Sequence, residues 1–205
     1  MTSFCLLPTS YLPPIEYFYF LMQYETIVIE QYETFPKQTL RNRAEILTDK
    51  GKFLLSIPVV KPEGNHSKTA DIRICYSQDW IQKHWRAIES AYNSSPFFLY
   101  YKDELLRILQ QKKERLLDLN DDLLRFFLQK LKIRTTIKYS SRFYKEIEIQ
   151  PACNLLDKNE TSLDYPTYHQ VFSERNGFIS NVSIIDLLFN KGPEAVYYLQ
   201  SLRNK

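Results

Sequence analysis

The sequence predicts an α/β fold, a two-layer or three-layer mixed arrangement with a mainly parallel sheet and helices packed on it. Three observations lead to this prediction. Short β-branched runs alternate with helical segments along the chain. An apolar content of 44% over 205 residues is enough for a sizeable core. No long linker divides the chain, so residues 1–205 are expected to form a single domain.

A strand–helix–strand unit is predicted at the start of the chain. Residues 4–7 form a short apolar run that ends at Pro8. After a rigid connector with two adjacent prolines, residues 15–23 contain neither Gly nor Pro and are expected to be helical. Residues 26–29 are all β-branched, which is typical of a buried strand. Such a unit begins a parallel sheet, and ligands gather outside the carboxyl ends of its strands.

Two further strands and an amphipathic helix are predicted in the middle of the chain. Residues 53–60 and 71–76 have the composition of strands. Ser77 or Asp79 can cap a helix over residues 80–92, whose apolar side chains recur at three- and four-residue spacing.

The second half of the chain is expected to be mainly helical. Residues 103–133 are predicted to form two helices, with a break at residues 118–121. Residues 134–139 are rich in β-branched side chains and favour a strand. Two closing helices are expected at residues 183–190 and 193–202.

Composition and motifs argue against several classes of protein. A net charge of +3 is far from that of a general nucleic-acid binder. Three widely spaced cysteines indicate neither a disulfide framework nor a zinc site. The common dinucleotide, P-loop, serine-hydrolase and zinc-protease motifs are absent, so no cofactor and no metal are predicted. No signal peptide or membrane-spanning run is evident, and we expect a cytoplasmic protein.

The best candidate for an anion site is the basic loop, residues 37–43, which follows the predicted strand at 26–29. Lys37, Arg41 and Arg43 can bind a phosphate or carboxylate, because guanidinium offers paired donors and Lys a mobile charge. The backbone amides of Gln38 and Asn42 could add to this site. The alternative is a solvated structural loop.

His84 is the candidate proton carrier, since an imidazole titrates near neutral pH. It lies beside the apolar face of the helix at 80–92, where a satisfied, partly buried histidine is the alternative. Glu89 is the candidate second residue of this helix. It follows five positions later, about 140° round the helix, so a direct pair with His84 is not expected. Glu89 can instead meet Arg86 or the basic loop.

Two residues near the end of the chain are candidates for substrate contacts. Tyr168 and Gln170 could bind a polar substrate through stacking and amide hydrogen bonds, or could simply anchor a loop. Asp186 lies among apolar neighbours and requires a hydrogen-bonding partner.

Several short segments, in order along the chain, resemble the WbqC-like family of bacteria. They are Tyr11-Leu12-Pro13-Pro14-Ile15-Glu16-Tyr17-Phe18, Lys37 with Asn42-Arg43 and Ile46, Lys83-His84-Trp85 with Ile88-Glu89-Ser90-Ala91-Tyr92, Tyr168-His169-Gln170, and Ser183-Ile184-Ile185-Asp186-Leu187-Leu188. The chain departs from the family at Pro8-Thr9, where Gln-Pro is frequent, and at Glu16, where Gly is frequent.

The resemblance implies a role in bacterial surface polysaccharides such as O-antigen, because members are met among genes for these polymers. We therefore expect a group-transfer enzyme that acts on an anionic small molecule or an activated or lipid-linked sugar. Acyl or aminoacyl transfer suits a His base, whereas nucleotidyl or glycosyl transfer suits the basic loop. The alternative is a noncatalytic binding or assembly factor that docks through the aromatic run at residues 97–101. The oligomeric state stays open.

Overall fold

The structure is a computed structural model that describes residues 5–144 and 163–204. Its strands are β1 (Cys5–Pro8), β2 (Thr26–Glu30), β3 (Arg43–Thr48), β4 (Gly51–Ser56), β5 (Val59–Val60), β6 (Arg73–Ile74), β7 (Thr136–Tyr139), β8 (Leu163–Asp164) and β9 (Arg203–Asn204). Its α-helices are α1 (Ile15–Met22), α2 (Trp80–Tyr92), α3 (Phe98–Gln110), α4 (Leu116–Lys130), α5 (Ser173–Asn176), α6 (Ile184–Lys191) and α7 (Ala195–Ser201).

The main sheet has three parallel strands in the order β1-β2-β7. Ile27 in β2 is opposite Cys5 in β1 and Ile137 in β7. Both β1 and β2 are almost wholly buried, as expected for apolar runs at the centre of a mixed fold. The predicted strand–helix–strand unit is confirmed, and the fold is a mixed α/β fold with a parallel sheet.

An antiparallel hairpin, β3–β4, follows the basic loop and does not join the parallel sheet. Ala44 and Leu55 are paired on its buried face, whereas Glu45 and Leu54 are paired on the opposite, exposed face. The end of β3 is held from outside the hairpin by Asn176, whose side-chain amide donates to the Thr48 carbonyl at 2.9 Å. The face of the hairpin that carries Glu45, Lys52 and Leu54 is exposed to solvent.

Two predicted strands are shorter than expected. Residues 53–60 were expected to form one strand, but β4 ends at Ser56 and β5 begins at Val59, because Pro58 lacks the N–H that would continue a ladder. Residues 71–76 contain only the two-residue β6, preceded by a 3-10 turn at Thr69–Asp71. Strands β5 and β6 pair with each other in a small antiparallel ladder.

The predicted break at residues 118–121 is wrong, because α4 continues through them. The polar run lies on the helix so that Asp118 is exposed, while Asn120 is buried and hydrogen bonded. The real interruption precedes α4, where Lys112 has a φ of +50°. Helix α3 also begins earlier than predicted, at Phe98, whose ring is fully buried against Phe189.

Helix α2 begins where the sequence predicts, with the Asp79 carboxylate accepting from the Gln82 N–H at 3.3 Å. The sequence places Ile81, Trp85, Ile88 and Tyr92 on the apolar face of this helix, and the buried stripe differs from that expectation. Trp80, His84 and Ile88 are buried, whereas Trp85 is only partly covered. His84 is therefore part of the core-facing side of the helix.

Candidate functional site

The basic loop, which the sequence placed after β2, packs on the segment that follows β1. The Tyr11 N–H donates to the Leu40 carbonyl at 3.0 Å, and the Asn120 side-chain amide donates to the Arg41 carbonyl at 2.9 Å. The loop is thus tied both to the segment after β1 and to α4. Its residues separate into two groups, one turned into the protein and one turned outward.

Arg41 is turned inward. Its side chain is 1% exposed, and its guanidinium makes two hydrogen bonds to the Glu33 carboxylate, Nε–Oε1 at 2.6 Å and Nη2–Oε2 at 2.8 Å. The Thr69 hydroxyl donates to the same carboxylate at 3.3 Å. This geometry balances the Arg41 charge within the protein and makes the residue an anchor of the loop.

Asn42 is also turned inward, whereas Lys37 is exposed. The Asn42 side-chain amide donates to the Ile57 carbonyl at 2.9 Å, and the Asn42 carbonyl accepts from the Ile57 N–H at 2.9 Å. Asn42 therefore joins the loop to the segment after β4. Lys37 does not line the cleft beside Arg43.

Arg43 lines a cleft of about 560 Å³ between the exposed face of the β3–β4 hairpin and the start of α1. This volume suits a small-molecule ligand. The hairpin wall carries charges of both signs and two apolar side chains. The cleft is lined by Leu12, Pro14, Glu16, Gln38, Thr39, Leu40, Arg43, Ala44, Glu45, Lys52, Leu54, Ser180, Asn181 and Ser183.

Two buried donors of this cleft have no hydrogen-bond partner among the described residues. They are the Arg43 Nε and the Thr39 hydroxyl. The other cation of the cleft, Lys52, already pairs with Glu45 at 2.7 Å on the exposed rim. A buried donor without a partner costs about 1–3 kcal/mol, and an anion bound at Arg43 would remove this cost.

The opposite wall is built by the start of α1 and the segment before α6. The Glu16 N–H donates to the Asn181 Oδ1 at 3.0 Å, and the Ser183 hydroxyl donates to the Leu12 carbonyl at 2.9 Å. Asn181 thereby takes the place of an N-cap, since Pro14 has no side chain that could cap the helix. Glu16 borders the cleft but is buried, with 2% of the residue exposed, and its carboxylate accepts from the Tyr165 hydroxyl at 3.5 Å.

Three residues of the cleft have a backbone conformation that side chains rarely adopt. Leu12, Gln38 and Asn181 have φ values of +41°, +60° and +52°. A non-glycine residue in this region is held there by its surroundings, and such residues gather at ligand sites. Their position on three separate segments of one cleft favours a functional reading of the cleft.

His84 does not line the cleft. Its side chain is 6% exposed, and its Nδ1 lies 3.0 Å from the Tyr11 hydroxyl. The ring also packs edge-on against Trp80. Burial lowers the pKa of His84 to about 4, and a hydrogen bond to the Ser56 backbone opposes this effect. The imidazole is therefore neutral at pH 7 and is engaged within the protein.

Glu89 is exposed on α2, away from both His84 and the basic loop. It does not line the cleft. The structure thus brings together Arg43 and the neighbouring loop residues, and leaves His84 and Glu89 apart from them.

Tyr168 and Gln170 meet around Asp186, which is fully buried. The Asp186 carboxylate accepts from the Tyr168 hydroxyl at 2.6 Å, the Gln170 amide at 3.1 Å and the Tyr92 hydroxyl at 3.1 Å. Burial raises the pKa of Asp186, and these hydrogen bonds oppose the rise. The cluster ties α2 and α6 to the segment at residues 168–170, in the core rather than at the cleft.

Sequence reasoning missed the polar cleft residues outside the basic loop, which are Glu16, Glu45, Lys52, Ser180, Asn181 and Ser183. The sequence offered one usable signal, because a helix that starts after Pro14 lacks a side-chain cap and needs a partner for its first N–H groups. The partner, Asn181, is 165 residues away from Glu16. No local pattern could have identified it.

Clusters of metal-ligating side chains and membrane-spanning helices are absent from the part of the chain that the structure describes. It contains no group of three or more His, Cys, Asp or Glu side chains that could hold a metal ion. In residues 5–144 and 163–204, no helix combines the length and the apolar character that crossing a membrane requires.

Comparison with known proteins places the chain in a family. No solved structure matches it. A protein of Mycobacterium tuberculosis (strain ATCC 25618 / H37Rv), described as "Uncharacterized protein Rv1507c", is 27% identical over 231 residues, which cover 99% of this chain and 100% of the relative. The sequence profile of the WbqC-like protein family matches residues 9–162 and 156–198. The chain therefore belongs to the WbqC-like protein family.

Proposed function

We propose that this protein is a cytoplasmic group-transfer enzyme of bacterial surface polysaccharide biosynthesis, and that its cleft holds the anionic part of an activated or lipid-linked sugar. Membership of the WbqC-like family supports the biological setting. The observation that carries the proposal is the pair of unpartnered buried donors, Arg43 Nε and Thr39 Oγ1, on the wall of the cleft.

The cleft suits a phosphate or carboxylate better than a nucleobase. None of its lining residues is aromatic, although 15% of the chain is Phe, Tyr or Trp. A base or an apolar ring would have no platform for stacking there. Arg43 offers a directional cationic donor, while Ser180, Asn181 and Ser183 offer groups for sugar hydroxyls. The sugar and its charged group therefore occupy the cleft in this proposal.

In this chain, proton transfer in the cleft would fall to Glu16, whose carboxylate accepts from the Tyr165 hydroxyl at 3.5 Å. Because Gly is frequent at this position in the family, the role would be specific to this chain. His84 was the predicted proton carrier, but its Nδ1 lies against Tyr11 and its pKa lies well below neutrality. A general base must reach the proton that it removes. Glu16 borders the cleft, and a carboxylate can accept a proton from a hydroxyl or ammonium group of the acceptor. We accordingly assign His84 to the positioning of Tyr11, the neighbour of Leu12 in the cleft wall.

A thermal-shift titration tests this proposal, because a ligand that binds the native state raises the unfolding midpoint. The probes are nucleotide sugars, short-chain lipid pyrophosphates and acyl donors. We expect an anionic compound to raise the midpoint, and Arg43→Ala to weaken its binding about tenfold or more while folding is retained. Lys50→Ala, in the exposed hairpin turn, is the matched charge control and should bind as the unmodified protein does. Unchanged affinity in Arg43→Ala would refute the anion site.

Turnover separates the enzyme from a binding protein. Once a ligand is found, Glu16→Gln should retain much of the affinity and lose transfer of the group, because the amide cannot accept the proton. Equal transfer by Glu16→Gln would contradict the role of this carboxylate.

The second candidate function is a noncatalytic assembly factor, and one observation favours it. At the start of α3, Leu99 and Tyr100 are 64% and 78% exposed, whereas their neighbour Phe98 is fully buried. Part of the aromatic run at residues 97–101 is thus available for docking. A Leu99→Ser, Tyr100→Ser variant that abolishes glycan assembly in cells, with ligand turnover unchanged, would favour this function over the enzyme.

A further inference from the structure

A second, much smaller pocket lies at the carboxyl ends of the parallel strands. It is lined by residues after β1 and near the ends of β2 and β7, by Tyr17 of α1 and by one face of α4, and it shares no residue with the cleft. The carboxyl edge of a parallel sheet is where α/β proteins bind ligands. Its lining residues are Thr9, Ser10, Pro13, Tyr17, Ile29, Leu117, Asn120, Asp121, Leu124 and Tyr139.

The central polar group of this sheet-edge pocket is the side chain of Asn120, which is 2% exposed. Its Nδ2 donates to the Thr9 hydroxyl at 3.1 Å and to the Arg41 carbonyl at 2.9 Å. Because both partners of Nδ2 act as acceptors, these two hydrogen bonds determine which end of the side-chain amide is nitrogen and which is oxygen. Its Oδ1 is buried and has no partner among the described residues. An acceptor held in this way is ready for a donor that enters the pocket.

The remaining polar groups make the pocket rich in acceptors. The Tyr139 hydroxyl already donates to the Asp121 carboxylate, and the Ser10 hydroxyl donates to the Leu40 carbonyl. No Lys or Arg lines the pocket, and Arg125 pairs with Asp121 from the exposed side of α4. Because acceptors repel a phosphate or carboxylate, the pocket selects a hydroxyl or an ammonium group.

The size of the pocket limits what enters it. Its volume is about 10 Å³, which is room for one water-sized group. Tyr139 is 36% exposed and forms part of the wall, so a group attached to a larger body can reach the pocket from solvent. The body of the ligand would then lie outside, beside Tyr139.

We infer that the sheet-edge pocket is a binding site for one hydroxyl or ammonium group of a sugar or amino sugar, with Asn120 Oδ1 as the acceptor. The site shares no residue with the anion cleft, and the choice of a sugar as the ligand rests on the proposed function. It recognises the opposite chemistry, since the cleft offers an unpartnered cationic donor and this pocket offers unpartnered oxygen.

Side-chain amide signals in a nitrogen-15 labelled sample of the protein test this inference. The probes, added separately, are methyl glucoside, glucosamine and inorganic phosphate. We expect a saturable shift of the Asn120 amide signals with methyl glucoside if a hydroxyl binds, or with glucosamine if an ammonium binds, and none with phosphate. Asn120→Asp identifies the signals by their disappearance.

Two variants locate the binding. Asp121→Asn keeps the size of the pocket and removes a charge on the partly exposed face of α4, where the carboxylate already pairs with Arg125 and Tyr139. It should fold, should weaken glucosamine binding and should leave methyl glucoside binding unchanged, because a hydroxyl binds to Asn120 Oδ1 and carries no charge. Arg43→Ala should leave the sugar-induced Asn120 shifts unchanged, because the cleft shares no residue with the pocket. The inference is overturned if neither sugar shifts the Asn120 signals, which would leave a site for water only. It is equally overturned if the shifts are lost in Arg43→Ala, which would place the bound sugar in the cleft. Phosphate binding lost in Arg43→Ala reports on the cleft separately.

Discussion

The Arg41 guanidinium and the Glu33 carboxylate face each other in a two-point ion pair, with Arg41 almost completely removed from solvent. A buried arginine would be strongly destabilising without this partner. The pair joins the segment after β2 to the basic loop, and the Thr69 hydroxyl extends it to the turn before β6. Arg41 thus anchors the basic loop to the interior of the protein, while Arg43 lines the cleft.

We predict that Arg41→Ala destabilises the fold on the order of 3 kcal/mol, because it leaves the Glu33 carboxylate without its main partner. Urea unfolding measures the change. The double variant Arg41→Met, Glu33→Leu should regain much of the loss, since two apolar side chains need no mutual charge. A stable Arg41→Ala variant that fails to bind an anionic ligand would instead make Arg41 a ligand-binding residue.

The sequence could predict the parallel strands and the location of the basic loop, because both depend on local signals. A proline stop and a β-branched run define β1, α1 and β2, and the loop follows β2 directly. The inward turn of Arg41 could not be predicted in this way. Its direction depends on Glu33 and on Asn120, the latter 79 positions later, and neither contact leaves a periodic pattern.

The errors in the helical region have a similar origin. The run at residues 118–121 contains polar residues that favour caps and turns, so it was interpreted as a break. In the folded chain, Asn120 is stabilised inside α4 by its bonds to Thr9 and Arg41. Tertiary hydrogen bonds outweigh a propensity difference of a few tenths of a kcal/mol per residue, roughly.

His84 predicts a specific dependence of stability on pH. Its pKa in the folded protein is about 4, below the ordinary histidine value of about 6.5. Between these pH values the unfolded chain binds more protons than the folded chain, so stability falls as the pH decreases from about 6.5 to about 4. Above about pH 6.5 the imidazole is neutral in the folded and the unfolded protein, so none of this stability is lost. The total loss well below pH 4 is about 3 kcal/mol.

The measurement is urea unfolding of the protein, of His84→Gln and of His66→Gln at several pH values from 7.5 to 4. Carboxylates also titrate in this range, so the difference between variants isolates the imidazole. We expect His84→Gln to lose much of the slope between pH 6.5 and 4, and the exposed His66 variant to keep it. If stability falls equally steeply with decreasing pH in the unmodified protein and in His84→Gln, this imidazole is not held neutral in the folded state.

Tyr168→Phe tests whether Tyr168 supports the core or binds a ligand. The substitution removes the donor nearest to the buried Asp186 carboxylate. Hydrogen bonds to charged groups contribute about 1.5–3 kcal/mol, and we expect a loss of stability of that size at pH 7. Tyr197→Phe, on the exposed side of α7, is the control and should have little effect. Unfolding curves that coincide for both variants, together with weaker ligand binding by Tyr168→Phe alone, would instead support the predicted substrate contact.

The final prediction concerns the close contact between Gly192 and the Phe97 ring. Gly192 has a φ of +54°, and a Cβ built on it would lie 2.5 Å from the Phe97 ring. Gly64 has a similar φ of +56° with open space around it. Gly64→Ala should therefore cost only the strain of a left-handed conformation, about 1–2 kcal/mol. Gly192→Ala adds a collision with a ring whose backbone N–H is held by the Phe189 carbonyl, and overpacking of this kind costs a further 1–3 kcal/mol, roughly.

Thermal or urea unfolding of the two alanine variants measures the difference between strain alone and strain with collision. In the double variant Gly192→Ala, Phe97→Leu, the smaller side chain clears the Cβ while φ stays positive. Relative to Phe97→Leu alone, the double variant should therefore lose only about as much stability as Gly64→Ala loses relative to the unmodified protein. Equal losses of stability in Gly64→Ala and Gly192→Ala would contradict the predicted collision. They would mean that the Phe97 ring moves aside freely and that the junction between α6 and α3 is loosely packed.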